Sequence, residues 1–325
     1  MSIPSPISLD DVRAARLRLE PYLSPTPLRR YPLLDAAVPG VALLVKHENM
    51  QPTGSFKVRN GLATVTALDG AQRGTGIVGA TTGNHGLGLA YAGRQLDVPV
   101  TICVPLGNNP EKNSALRAWG ASVVEEGTDY DDAVAVAQRL VDTQGLVLAH
   151  STNNPAVLAG AGTMTLEILE QAADLDVLLI AVGGGSQAVG AITVARALRP
   201  ELRIIGVQAA GASAAHDSWQ AKEPRRTERA DTFAEGVATR ATYELTFPTL
   251  LAGLGGFVTV TDAEIADAVR LILGATHHLV EGAGAMGVAA AVKLAPQLRG
   301  KRVGVIFCGA NMDSGVLRRI LNKEL

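Results

Sequence analysis

Cysteine is nearly absent. The 325 residues hold two, Cys103 and Cys308, both within apolar runs, which excludes a disulfide framework and a cysteine-built zinc site. A charge excess of one sign is also missing: Lys+Arg total 29 and Asp+Glu 31, for a net charge of -2. Binding to nucleic acid or to a membrane through bulk positive charge is thereby excluded. No apolar run approaches about 18 residues, so no spanning helix is expected. Met1 to Asp10 has no basic region followed by an apolar stretch. A secretory leader is therefore not expected, and a cytoplasmic protein is. Aromatics are scarce at 4%, whereas Gly numbers 35 and apolar residues reach 47%. That balance suits packed α/β layers with many backbone turns and argues against disorder.

What is present is an alternation of short apolar runs with helical patterns. Strands are predicted at Val41–Lys46, Ile77–Ala80, Val100–Val104, Ser122–Glu125, Val177–Val182, Arg203–Gln208, Phe257–Val260 and Arg302–Phe307. Most are continuous rather than alternating, as strands buried on both faces are. Between them the spacing predicts helices at Leu87–Leu96, Glu111–Trp119, Tyr130–Thr143, Ala156–Gln171, Gln187–Leu198, Asp262–Gly274, Ala285–Leu294 and Met312–Asn322. Thr261 and Glu264 read as a capping pair, and Asp129 as a helix start. The alternation implies open, mostly parallel sheets with helices on both faces. Residues 72–150 hold three strands with their helices and can close as a small domain. Residues 1–71 and 151–325 would form a larger one. The polar segment His216–Arg229 reads as a solvated surface loop.

In such sheets ligands bind at strand ends, and four turns there can carry chemistry. Gln51-Pro52-Thr53-Gly54-Ser55-Phe56-Lys57 places one of only seven lysines in a Gly/Ser/Thr-rich turn. Ser55 can cap the helix that begins there. A lysine in a first helical turn loses its proton more readily, and a neutral buried amine attacks aldehydes. The bland alternative is a surface lysine. Thr81-Thr82-Gly83-Asn84-His85-Gly86 follows a predicted strand and offers backbone N–H groups to a carboxylate or phosphate. His85 could be a base, although a histidine there more often serves structure. Gly183-Gly184-Gly185-Ser186 looks like a phosphate loop. Its match to a dinucleotide fingerprint is weak, because Gln208 stands where a ribose-binding acid belongs. No GxxxxGK followed by Ser or Thr exists, so a P-loop kinase is excluded. Cys308, in Phe307–Asn311, follows an apolar strand, which predicts a thiol with a normal or raised pKa. A buried amine, a phosphate cradle, an Asn-bearing anion loop and a neutral group at a strand end together suit pyridoxal 5'-phosphate.

These motifs resemble the serine/threonine dehydratase family, the fold-type II pyridoxal-phosphate enzymes that include serine racemase. The resemblance runs from Thr26-Pro27-Leu28 to Asn311-Met312-Asp313 and implies a two-domain fold like that of the tryptophan synthase β subunit. It implies that Lys57 carries the cofactor, with Phe56 and Gly236 on either side of its ring. Gly183, Gly184, Gly185 and Ser186 would hold the phosphate, Asn84 would face the 3′-oxygen and Cys308 the pyridine nitrogen. Glu281, in Glu281–Ala285, would line the cofactor pocket. The substrate would be held by Ser55, Thr81, Thr82, Asn84 and His85. Thr82 stands where racemases of the family carry a serine as second acid/base. Relatives with a cation site use two acids where this chain has Gln208 and Ala214, so no metal is expected there. No regulatory domain of the biosynthetic kind is expected after Leu325.

The reaction so implied is β-elimination of a β-hydroxy amino acid, with L-serine and L-threonine as defaults, to a 2-oxo acid and ammonia. A 3-hydroxyaspartate or a bulkier analogue stays open. Racemisation or β-replacement on the same cofactor is the nearest alternative, and a non-catalytic amino-acid-binding protein a more remote one. A homodimer is implied by the resemblance. No nucleic-acid or membrane partner is expected.

Overall fold

Strands that pack helices on both faces need side chains that are apolar throughout, a requirement met by central strands such as Val177–Ala181; among the described residues ten strands form two sheets. The computed structural model describes residues 3–81 and 83–325. The strands are β1 (Leu28–Arg30), β2 (Ala42–Lys46), β3 (Ile77–Ala80), β4 (Val100–Val104), β5 (Ser122–Glu125), β6 (Val147–Leu148), β7 (Val177–Ala181), β8 (Arg203–Ala209), β9 (Gly256–Val260) and β10 (Arg302–Ile306). One sheet has the order β1-β2-β10-β7-β8-β9 and the other β5-β4-β3-β6. All pairings are parallel except β1 with β2. The fold is α/β. Among the described residues no helix is long and apolar enough to cross a membrane.

Three strands, β3, β4 and β5, lie where the apolar runs predict them, and the other predicted strands differ by one residue at an end. β1 and β6 are not predicted, because two or three residues show no periodicity. Asp129 and the Thr261–Glu264 pair do cap their helices. The segment His216–Arg229 requires correction. Its first part belongs to a helix, Ala214–Ala221, that buries Ala214, Ala215 and Ser218 and sets Trp219 against Phe257. Only after Lys222, which ends the helix with φ 59°, is the chain mostly exposed. The last helix also starts later than its pattern suggests, at Ser314, because Asp313 caps it by accepting from the Val316 amide.

The helix Lys57–Thr66 is gripped from two sides. On one side it meets the helix Asn84–Leu96 backbone to backbone. A Cβ at Gly61 would fall 2.1 Å from the Gly88 carbonyl oxygen, and one at Gly88 2.3 Å from that of Lys57. Only glycine permits this approach. Val58, Leu62 and Val65 share a core with Ile77, Leu89 and Ile102 under the four-stranded sheet.

On the other side lies a buried set of four charges. Arg59 donates to Glu48 through Nε (2.8 Å) and Nη2 (2.9 Å), to Glu167 through Nη1 (2.7 Å) and Nη2 (2.8 Å), and to Thr163 at 3.1 Å. All five guanidinium N–H groups are thus engaged. Lys46 completes the set, donating to Glu167 at 2.7 Å and to the Thr26 carbonyl at 2.7 Å. Burial pushes the Glu48 carboxyl up, but Arg59 outweighs it and holds the group below its ordinary value.

Removing one partner of such a set leaves an uncompensated buried charge, at a cost of about 3–5 kcal/mol. Arg59→Met is therefore expected to lose stability of that order in chemical denaturation. A loss below about 1 kcal/mol, the range of exposed ion pairs, would show that the set does not hold the helix.

Candidate active site

The turn before Lys57 exists because glycine can take a left-handed backbone. Gly54 has φ 68°, and a Cβ there would meet Asn311 Oδ1 at 2.7 Å. The turn is stitched to the end of β10: the Phe56 amide donates to the Cys308 carbonyl at 3.0 Å, and the Ala310 amide to that of Gly54 at 2.8 Å. Lys57 is the first helical residue, with Nζ 5.0 Å from the centroid of the Phe56 ring. Ser55 does not cap the helix, contrary to expectation. Phe56 occupies the cap position with no side-chain bond, and Ser55 Oγ is buried without a partner among the described residues. Burial pushes the Lys57 amine down to about 8, while Cys308 and Glu281 pull weakly the other way.

Asn84 opens the next helix of the site. Its Nδ2 donates to both oxygens of Glu281, at 2.8 and 3.0 Å, and its Oδ1 accepts from Asn311 Nδ2 at 2.7 Å. Asn311 also donates to the Thr53 carbonyl at 2.8 Å. One amide therefore ties the lysine turn to the anion loop. Burial pushes the Glu281 carboxyl up, against the pull of Asn84 and Lys112. His85 donates from Nε2 to the Ala149 carbonyl at 2.8 Å, and burial, then Lys57, press its pKa to about 3. Its ring is neutral and committed, so what it can offer an anion is its backbone N–H, free in the first helical turn. Thr81 Oγ1 accepts from the Gly83 amide at 3.1 Å. Thr82 lies outside the described residues.

The glycine loop follows β7 and opens a 13-residue helix, Ser186–Leu198, with Gly185 at φ 95° as its cap and Ser186 buried as its first residue. A Cβ at Gly183 would fall 2.9 Å from the Gly236 carbonyl oxygen, and one at Gly184 2.3 Å from Thr152 Oγ1. Thr246 Oγ1 donates to the Gly184 carbonyl at 2.8 Å. Gly236 in turn neighbours Glu281, whose Oε1 would lie 3.7 Å from a Cβ there. Burial, then Glu281, keep the Cys308 thiol well above its ordinary pKa; a hydrogen bond with Gln187 offsets this in part. The thiol is therefore neutral. A small cleft lined by Glu235, Gly236, Glu281 and Asn311 opens beside this set, crossed by an ion pair between Lys112 and Glu235.

Pyridoxal phosphate fits these residues. The amine is neutral in part near pH 8, the glycine loop heads a helix whose free amides suit a phosphate, and Ser55 Oγ and Gln187 Oε1 are buried polar atoms in want of partners. Composition and spacing did not single out Gln187, Asn311, His150, Thr152, Tyr243 or Thr246.

A family model described as pyridoxal-phosphate dependent enzyme matches residues 19–309. An L-threonine ammonia-lyase of Thermotoga maritima is 35% identical over 319 residues, spanning 98% of this chain and 79% of its own. An L-threo-3-hydroxyaspartate ammonia-lyase of Pseudomonas is 35% identical over 306 residues, spanning 94% of this chain and 96% of its own. Among solved structures, a threonine deaminase from T.th. superposes with a TM-score of 0.89 at 36% identity, over 94% of this chain and 99% of its own. Maize serine racemase gives a TM-score of 0.92 at 28% identity, over 98% and 97%.

A depressed lysine pKa means that the neutral amine grows as pH rises through about 8 rather than through the ordinary 10.5. Reductive methylation of cofactor-free protein, read by peptide mass spectrometry, is expected to modify Lys57 with a midpoint near 8. A midpoint at the ordinary lysine value would refute the desolvated amine.

Proposed function

We propose, for a chain that belongs to the pyridoxal-phosphate dependent enzyme family, β-elimination of a β-hydroxy amino acid, L-threonine or L-serine, to a 2-oxo acid and ammonia. The observation that carries this reading is the pairing, in one site, of a Lys57 amine pressed down to about 8 with a Cys308 thiol kept neutral. Sequence likeness to ammonia-lyases over nearly the whole chain supports it.

Lys57 is the residue that would hold the cofactor, with the amides of Gly183, Gly184, Gly185 and Ser186 around its phosphate, Phe56 and Gly236 on its two faces and Asn84 at its 3′-oxygen. When bound, pyridoxal phosphate supplies an electron sink for charge developing at Cα. Amides of Asn84 and His85, at the head of the Asn84 helix, would offer the substrate carboxylate a positive field. Thr82, proposed with them, lies outside the described residues. Lys57 would take the Cα proton, since a base titrating near working pH is the efficient one. The β-hydroxyl departs with a proton as water, and hydrolysis of the released enamine gives the 2-oxo acid and ammonia. A neutral Cys308 facing the ring nitrogen would bring no negative charge there, a setting that would favour expulsion of the β-group over transamination.

Other parts of the reading are proposed with it. Residues 72–150 would move as a small domain over the site. A homodimer and a cytoplasmic location fit the class. Near Gln208 no cation is proposed; its Oε1 accepts the His216 amide at 2.8 Å, in the first turn of the helix that follows.

Protein loaded with pyridoxal phosphate is expected to show visible absorbance that borohydride removes, and to release 2-oxo acid from L-serine or L-threonine, detected as its hydrazone. Lys57→Ala should lose both. Absence of oxo acid from every β-hydroxy amino acid tried, 3-hydroxyaspartate included, would overturn the reading. Cys308→Asp, which brings a carboxylate to the ring nitrogen, is expected to slow oxo-acid release roughly tenfold or more.

A further inference from the structure

We propose that His150 reads the β-substituent of the substrate as a hydrogen-bond donor, holding the β-oxygen in the orientation from which it leaves. The proposal rests on the β-elimination reading above and names a specificity-determining residue for it.

The placement comes from the segment around it. Residue 150 follows β6 and precedes the helix Pro155–Gln171. At one end of the segment, the Ala149 amide donates to the Val78 carbonyl at 2.8 Å and the Ala149 carbonyl accepts from His85. That end is fixed to the loop proposed to bind the substrate carboxylate. At the other end, Thr152 lies against Gly184 in the glycine loop, and Asn154 caps the helix by accepting from the Ala156 amide at 2.9 Å. His150 thus lies between the two loops that would grip opposite ends of the substrate–cofactor pair.

The tautomer follows from the hydrogen bonds. His150 Nδ1 accepts the amides of Thr152 at 2.9 Å and Asn153 at 2.8 Å. In a neutral imidazole the nitrogen that accepts carries no proton, so the N–H is Nε2. Tyr243 packs edge-on to the ring, with centroids 5.6 Å apart at 80°, and limits its rotation. Among the described residues Nε2 has no hydrogen-bond partner. Two amides donating to Nδ1 leave no place for a second proton, so the ring is neutral, and burial lowers its pKa in the same sense. A neutral imidazole N–H donates a hydrogen bond well but surrenders its proton poorly. Its role is therefore to bind and orient the β-oxygen, not to serve as the acid.

Two substitutions separate this from a purely structural role. In His150→Asn the side-chain oxygen can replace Nδ1 as acceptor for the two amides, while the distal donor is lost. In His150→Gln an N–H reaches the distal position, while the acceptor for the amides is lost. With pyridoxal phosphate bound, kcat/KM for L-serine is expected to fall about tenfold or more in His150→Asn, one lost hydrogen bond's worth, and to stay within about threefold in His150→Gln. The ratio of activity on L-serine to that on β-chloro-L-alanine, whose leaving group is chloride, should fall in His150→Asn alone. The opposite order, or a ratio unchanged in both, overturns the proposal and leaves His150 a cap for its loop. If the wild-type enzyme makes no oxo acid from any β-hydroxy amino acid, the β-elimination reading fails by itself. His150 is then judged by binding, from the cofactor absorbance. Tighter binding of L-serine than of L-alanine, kept in His150→Gln and lost in His150→Asn, upholds the donor, and any other pattern overturns it.

Discussion

The burial of four charges around Arg59 is the constraint on which the site depends. Taking an ion out of water costs several kcal/mol, and the attraction between opposite charges repays that only when the geometry is complete. Here Glu48 comes from the turn after β2, Lys46 from β2 itself, Glu167 from the helix Pro155–Gln171, and Arg59 from the helix that Lys57 begins. No one of these elements can shift without exposing a fault in the others. The reactive amine stands two residues from Arg59, so its position is settled by electrostatics that take no part in the chemistry.

Within the site itself, burial works to remove charge rather than to concentrate it. It pushes Lys57, His85 and His150 down and Cys308 and Glu281 up, each toward its neutral form. A cofactor that brings its own phosphate then becomes the strongest charge present. For that phosphate we propose the backbone amides at the start of the Ser186–Leu198 helix, whose dipole is fixed before the ligand arrives. Such an arrangement leaves the direction of electron flow to be set by neutral hydrogen-bonding groups.

Much of this was legible in the chain. The apolar runs at Ile77–Ala80 and Val100–Val104 marked strands because burial on both faces leaves little room for polar residues, and Val123–Val124 marked the edge strand beside them. Lys57 stood out because lysine is rare here and its turn is rich in Gly, Ser and Thr. What stayed hidden depends on distance in sequence. Asn84 meets Glu281 across 197 positions and Asn311 across 227, and no local pattern announces such a pair. His150 sits in a short link with no motif, and its tautomer is fixed by two amides that only the folded loop brings to it. Ser55 misled for a related reason: its turn closes against β10, so Phe56 and not Ser55 takes the cap position.

The glycine contact between the Lys57 and Asn84 helices has a mechanical consequence. The first of these helices is fused to the layer beneath the four-stranded sheet through bare backbone, and to the opposite layer through Arg59. A shift of one sheet against the other would have to strain this helix from both sides at once. Lys57 stands at its first turn, and the anion loop is tied to the same turn through Asn84 and Asn311. The amine and the loop across from it are thereby kept in register.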